Sequence, residues 1–155
     1  MKKNKFSINL SLTVLGVVSL ALALLLVFGP KLFEMYMISY RGFDINGEVF
    51  SMLKKVFGIC FYSSSVFSAI ILFALFKLLF NIKKGEVFIM QNAACLRVVA
   101  WCCFIISAIT FVGGFFHIPL LSVSCAGVFT GVLLRVLKNV MYSGVQIKQD
   151  NDLTI

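Results

Sequence analysis

The sequence predicts an all-α, polytopic integral membrane protein: a bundle of four transmembrane helices with the N- and C-termini in the cytoplasm. Hydrophobic residues make up 61% of the 155 residues and charged residues only 13%, and mean hydropathy is +1.03. A soluble domain carries about 25% charged residues and cannot hide so much apolar side chain in a core of this size. The apolar runs are long and continuous, which indicates helices and not the short alternating strands of a barrel.

Each run is long enough to cross a hydrocarbon core of about 30 Å, which takes about 20 helical residues. We place all four spans in a single membrane domain, residues 1–155, at about 8–28, 56–79, 96–116 and 118–137. Gly29-Pro30 is expected to end the first span. That first run is too long for the apolar region of a signal peptide, so we expect it to remain as a helix.

Basic residues are unevenly distributed between the two sides of these spans. The predicted outer loop, 29–55, has four: Lys31, Arg41, Lys54 and Lys55. The other side has ten: Lys2, Lys3, Lys5, Lys77, Lys83, Lys84, Arg97, Arg135, Lys138 and Lys148. The positive-inside rule puts the richer side in the cytoplasm. Residues 80–95 are then a cytoplasmic elbow and residues 138–155 a cytoplasmic tail.

The net charge of +8 is therefore concentrated next to the membrane, where it favours contact with the anionic headgroups of the lipid bilayer. No basic stripe interleaved with aromatic residues exists, so we expect no direct nucleic-acid binding. The middles of the spans hold no ionisable residue of the kind that ion pumps use. The five cysteines lack the spacing of zinc ligands. We expect no catalytic residues, no metal, no cofactor and no enzymatic activity.

Small residues recur at helical spacing in the fourth span. Gly127 and Gly131 form a Gly-x-x-x-Gly pattern, which lets helix backbones approach closely. We expect this pattern to serve helix packing within the bundle. A homodimer seam is the alternative.

The last residues, "NVMYSGVQIKQDNDLTI", are polar with interspersed apolar positions. Val145 and Ile147, then Leu153 and Ile155, each alternate with polar residues. A period of two predicts an extended segment, which can add to the edge of a partner's sheet. It can also dock on the elbow through its aspartates or fray as chain ends do. Docking on the protein's own cytoplasmic face is our preferred interpretation.

The elbow connects spans two and three with "NIKKGEVFIMQNAACLRVVAW". Gly85 is expected to stop the preceding helix, and Phe88 to dip into the membrane interface. The next helix is expected to begin near Gln91 or Asn92. Trp101 then stands where an interfacial aromatic residue belongs.

Together, the elbow and the C-terminus resemble the bacterial membrane family catalogued as domain of unknown function 2975. The elbow pattern of that family is approximately Gly-x-x-Phe-x-x-x-Asn-x-x-x-Leu-Arg, matched here by Gly85, Phe88, Asn92, Leu96 and Arg97. Its C-terminal pattern ends in Asp-Leu-Thr-Ile or Val, matched by Asp152, Leu153, Thr154 and Ile155. The chain departs at Ile89, where the family usually has a Thr or Ser able to cap the next helix, and at Asp150, where Glu is commoner.

The resemblance implies a small four-span protein of the bacterial cytoplasmic membrane with no established enzymatic role. Such proteins are often encoded beside a short helix-turn-helix regulator, which suggests a membrane anchor or sensor that tunes a transcription regulator. Elbow and tail would form the docking face. The alternative is an accessory or immunity-type protein that binds a lipid, a hydrophobic compound or a toxin. It predicts a cavity lined by Ser63, Ser64, Ser65 and Thr110.

Overall fold

The computed structural model describes residues 2–42 and 47–152, and of Lys2–Phe6, Tyr40 and Asp152 it describes the backbone alone. Four helices account for nearly all of these residues: α1 (Lys2–Arg41), α2 (Glu48–Lys83), α3 (Met90–Gly114) and α4 (Pro119–Asp152). Each is long and apolar enough to cross a membrane. The described ranges contain no strand. The predicted four-helix membrane fold is confirmed.

The helices pack in chain order. Over the described residues, α1 approaches α2, α2 approaches α3, and α3 and α4 make the most extensive contact. We call the end at which α2 ends and α3 begins the elbow end, and the opposite end, with the 42–47 connection and the α3–α4 turn, the loop end. Buried residues are most frequent in α3 and few in α1. α3 is therefore the central helix.

The α3–α4 hairpin is closed by small residues. A Cβ at Gly131 would lie 2.9 Å from Phe104 Cε1, and one at Gly127 would clash with Ser107 Oγ. Close by, Ser124 Oγ donates a hydrogen bond to the Ser107 carbonyl at 2.8 Å. The glycine pattern of the fourth span thus faces α3 of the same chain, which is how small residues let two helices approach in lipid.

Helix α1 runs through Pro30 to Arg41 and α2 begins at Glu48, so both helices extend into the segment 29–55 expected as an outer loop, and Gly29-Pro30 does not end the first helix. Hydropathy falls after Gly29, but α1 continues to pack against α2. Phe33 and Met37, one turn apart, are buried in a cluster with Phe50. The missing N–H of Pro30 is tolerated in a helix that neighbours support.

Two further contacts hold this part of α1 on α2. The Phe33 ring stacks on Phe57 with centroids 4.0 Å apart, and Lys54 Nζ lies 2.7 Å from Glu34 Oε1. The Phe33 ring also meets the edge of His117, in the α3–α4 turn, at 5.9 Å. The loop end of the bundle is therefore tied together by aromatic side chains.

Helix α4 continues to Asp152, so the extended conformation expected for the tail is wrong over the described residues. Gly144 approaches the Phe88 ring so closely that a Cβ there would lie 2.7 Å from Phe88 Cδ1, and Val145 is buried. The elbow gives this segment a surface to pack against, and that contact outweighs the alternating sequence pattern. Leu153, Thr154 and Ile155 of the C-terminal motif lie outside the described residues.

Candidate functional site

The elbow begins with a helix stop at Gly85. Its φ of 91° is a left-handed conformation that glycine adopts without a steric penalty. The Gly85 N–H donates to the Ile82 carbonyl at 3.0 Å, and the Glu86 N–H to the Asn81 carbonyl at 3.1 Å. This pair of bonds is the Schellman arrangement, which satisfies the free carbonyls at a helix C-terminus. Gly85 therefore turns the chain back toward α3.

Asn92 holds the returning chain in place. Its side chain is fully buried, at 0% exposure, and its Oδ1 accepts a hydrogen bond from Asn81 Nδ2 at 2.8 Å. Its Nδ2 donates to the carbonyls of Glu86 at 2.7 Å and Val87 at 2.8 Å. One amide thus connects the last turn of α2, the elbow backbone and the first turn of α3. Buried polar groups must be paired in this way to avoid a desolvation cost.

Helix α3 starts at Met90, with Ile89 as the residue that precedes its first turn. Ile89 has an extended backbone and makes no side-chain cap hydrogen bond. The departure from the family's Thr or Ser therefore does not prevent the helix from starting here. Its position is already fixed by the Asn92 hydrogen bonds two residues inside the helix.

The remaining motif residues divide into two groups. Leu96 is buried, and Phe88, although 49% exposed, packs on Gly144 of α4. Gly85, Phe88, Asn92 and Leu96 therefore build the elbow and join it to α4. Arg97 is exposed and faces a different neighbourhood, a cleft that it shares with Arg135 and Lys138 of α4.

The extension of α4 beyond the elbow is a solvent-exposed helix. Residues 146–151 are all exposed, and Ile147 stands out as an apolar side chain with 63% of its surface free. Of the C-terminal motif, Asp152 is the last helical residue described. The structure brings the elbow to the base of this extension at Gly144. It does not describe a contact between the elbow and residues 153–155.

A second feature is a cavity of about 250 Å³ between the helices, lined by Ser64, Ser65, Ser68, Thr110 and mostly apolar neighbours. Three of the four expected residues line it, but Ser63 does not. Ser65 Oγ donates to the Phe61 carbonyl at 2.7 Å and Thr110 Oγ1 to the Ile106 carbonyl at 2.9 Å. Ser64 Oγ is buried with no hydrogen-bond partner among the described residues. It is therefore the polar group that this cavity offers to a ligand.

Sequence reasoning missed two residues of these sites. Asn81, the partner of Asn92, lies in the last turns of an apolar helix, and only its amide in that setting could have signalled a pairing. Ser68, which lines the cavity, lies one turn from Ser64 and Ser65. Within the described residues, no three His, Cys, Asp or Glu side chains form a group that could hold a metal ion.

His117 is the one titratable group of the α3–α4 turn. Burial lowers the pKa of its imidazole, and the nearby Arg41 lowers it further. The edge contact with Phe33 is therefore made by a neutral ring at neutral pH, because the pKa falls below its ordinary value of about 6.5. The residue ties the turn to α1 and stands apart from the elbow.

The four apolar helices and the connections between them define a small polytopic membrane protein. The chain belongs to the family described as "Protein of unknown function (DUF2975)", whose family model matches residues 45–155. That range holds α2, α3 and α4, together with the elbow and the C-terminal motif. A search of curated proteins and a search of solved structures each gave no match.

Proposed function

We propose that this protein is a non-enzymatic interaction protein of the bacterial cytoplasmic membrane, which anchors or tunes a cytoplasmic partner such as a helix-turn-helix regulator. The observation that carries the proposal is the elbow end: a turn fixed by hydrogen bonds, with an exposed helix standing beside it. The excess of Lys and Arg at this end favours its lying in the cytoplasm. A partner there would meet a surface that is already ordered.

Rigidity supports this role because a preformed surface loses little conformational entropy when it binds. The Asn92 amide bonds two elbow carbonyls and Asn81, and Phe88 links the elbow to α4. Most motif residues at the elbow hold the turn together and join it to α4. The partner would therefore contact what they present: the exposed face of α4 around Ile147.

The helical form of α4 also changes the expected mode of binding. An extended tail would add a strand to a partner's sheet, whereas a helix offers one face to a groove or to another helix. Ile147 supplies an apolar contact in an otherwise polar segment. A helical regulator is a partner of suitable geometry for that face.

The test is a crosslinking pull-down from native membranes, comparing the full-length chain with a chain ending at Gln149. We expect a DNA-binding regulator to be recovered with the full-length protein alone. Ile147→Ala should reduce recovery. Leu133→Ala, an exposed position of the same helix inside the expected span, should not. If the shortened chain recovers the same regulator in the same amount, the C-terminal end of α4 is not the docking face.

The cavity supports a second candidate function, the binding of a hydrophobic compound or lipid. The supporting observation is the buried Ser64 hydroxyl, which has no hydrogen-bond partner among the described residues and lies in a largely apolar cavity of about 250 Å³. Mass spectrometry of co-purified small molecules would test it. Ser64→Ala should lower the retained amount and Ser63→Ala, which does not line the cavity, should leave it unchanged. Equal retention by both variants would remove this candidate.

A further inference from the structure

Three basic side chains converge in one small cleft between α3 and α4. Arg97 lies on α3, Arg135 and Lys138 lie one turn apart on α4, and Ala100, Trp101 and Phe104 complete the lining. The close approach of Phe104 to Gly131 sets the register of the two helices. Because the helices run antiparallel from a short turn, Arg97 comes level with the basic pair. The cleft is nearer the elbow end than the contact between Gly131 and Phe104.

Among the described side chains, no acidic residue lines this cleft. The ion pair of Lys54 with Glu34 is at the loop end. Lys138 Nζ lies 2.8 Å from Asn139 Oδ1 and 6.0 Å from the centre of the Tyr142 ring, while Arg97 and Arg135 have no hydrogen bond or ion pair to other described residues. Like charges gathered without a counter-charge repel one another, so the cleft favours an anion.

The aromatic lining indicates the depth of the cleft in the membrane. Trp101 is 57% exposed and its ring meets Phe104 edge-on at 6.1 Å. Tryptophan settles at the headgroup level of a bilayer, and basic clefts between transmembrane helices at that level suit lipid headgroups. On α3, Arg97 lies one turn nearer the elbow end than Trp101, and Phe104 lies farther from that end.

We propose that this cleft binds the phosphate of an anionic membrane lipid. The planar guanidinium groups of Arg97 and Arg135 can each give two parallel hydrogen bonds to phosphate oxygens, and Lys138 adds a point charge. A volume of about 90 Å³ takes a phosphate group but not a whole lipid. The acyl chains would therefore lie outside, along Trp101 and Phe104. This inference does not depend on the proposed function.

Trp101 is the single tryptophan of the chain and lines the cleft, so its fluorescence reports the lipid beside it. We would place the full-length protein in phosphatidylcholine vesicles that contain phosphatidylglycerol, with bromine on the acyl chains of one lipid at a time. We expect brominated phosphatidylglycerol to quench Trp101 beyond its share of the bilayer. Equal quenching by the two lipids at equal content would overturn the proposal.

Charge variants separate a site from a diffuse surface charge. Arg135→Gln and Lys138→Gln should each reduce the preference for phosphatidylglycerol about fivefold, and Arg135→Lys should keep part of it. Lys148→Gln removes the same charge from α4 outside the cleft and should change little. An equal loss in Lys148→Gln would overturn the site. Thermal unfolding of each variant shows whether it is folded.

A soluble phosphate compound offers the same phosphate group as the lipid headgroup, so a competition experiment is needed to distinguish the two. Inorganic phosphate and glycerol 3-phosphate are titrated against the quenching by brominated phosphatidylglycerol. We expect neither to displace the lipid at millimolar concentration, because neither brings acyl chains to the aromatic side of the cleft. Full displacement would overturn the lipid as the ligand and assign the cleft to a soluble phosphate.

Discussion

Asn92 illustrates how one polar side chain defines a turn in a largely apolar protein. Its carbonyl oxygen and its amide are both used, the first by Asn81 and the second by two backbone carbonyls. An aspartate could not donate to those carbonyls, and a leucine could not accept from Asn81. The residue type at this position in the elbow motif thus follows from the hydrogen bonds it must make.

We expect Asn92→Leu to lower the free energy of unfolding by about 2–4 kcal/mol, because it leaves the Asn81 amide and two carbonyls without partners. Unfolding of the purified protein in mixed micelles, followed by circular dichroism, would measure the change. Gln91→Leu is the matched control, since Gln91 is exposed at the adjacent position. A similar loss in both variants would contradict the role of the Asn92 network.

His117 makes stability depend on pH at the loop end. Burial and Arg41 lower the pKa of its imidazole, so below about pH 6.5 the unfolded chain binds a proton before the folded one does. The contribution of His117 is therefore complete above that pH and is lost as the pH falls through the lowered folded pKa. We expect the melting temperature to fall between pH 7 and pH 5. His117→Gln should remove this part of the dependence, and parallel curves for both proteins would contradict it.

At the scale of the elements, the α3–α4 hairpin is the best-defined unit. Gly127 and Gly131 admit Ser107 and Phe104 at close range, and the Ser124 hydroxyl bonds the Ser107 carbonyl. Both glycines are used within the chain, so they carry no argument for a homodimer. The unit also positions the basic cleft, because the same register aligns Arg97 with Lys138.

The close contact of Gly127 with Ser107 predicts that a second substitution can rescue the first. Gly127→Ala should cost about 1–3 kcal/mol, since the new Cβ meets Ser107 Oγ and the site is already filled. The double variant Gly127→Ala with Ser107→Ala should regain most of that loss, because the next atoms lie at 3.5 Å, an ordinary contact. Thermal unfolding of the unaltered protein, the two single variants and the double variant gives the coupling free energy between the two positions.

Gly58→Ala is the matched control for Gly127→Ala, because nothing lies within 4 Å of a Cβ at that position. We expect it to be neutral or slightly stabilising, as alanine favours a helix over glycine. If Gly127→Ala behaved like Gly58→Ala, the two helices would be farther apart than described.

At the scale of the whole molecule, four crossings return the chain to the side on which it began. The elbow and both termini would then share one side, and the distribution of basic residues predicts that this side is the cytoplasm. Green fluorescent protein fused after Ile155 should therefore fluoresce. Alkaline phosphatase inserted in the 42–47 connection should be active, and the same enzyme inserted at Gly85 should not. The reverse pattern would contradict the predicted orientation.

The number and type of elements were predictable because the length of an apolar run is a direct consequence of membrane thickness. The helix ends were not, since beyond the hydrocarbon core packing decides them. Phe33 and Met37 are buried against α2, and α1 therefore continues past Pro30. In α4, Gly144 contacts Phe88, and the chain is helical there although Val145 and Ile147 alternate with polar residues as in a strand. Hydropathy reports none of these contacts.

The candidate sites were predictable in part for a similar reason. Gly85 could be recognised as a helix stop because glycine favours a positive φ, while the pairing of Asn92 with Asn81 depends on how tightly the elbow turns. Arg97, Arg135 and Lys138 were visible as basic residues at one membrane face. Their convergence needs the register of α3 against α4, which the contact between Gly131 and Phe104 sets.

The way α1 is attached has a mechanical consequence. Its backbone approaches α2 alone among the described helices, apart from the edge contact of the Phe33 ring with His117, whereas α3 is held on both sides. A force applied at the N-terminus of the membrane-embedded protein should therefore extract α1 in a separate first step. The hairpin of α3 and α4 should resist longest and leave the bilayer as one unit. Under load, the protein is a three-helix core that carries its first helix on one side.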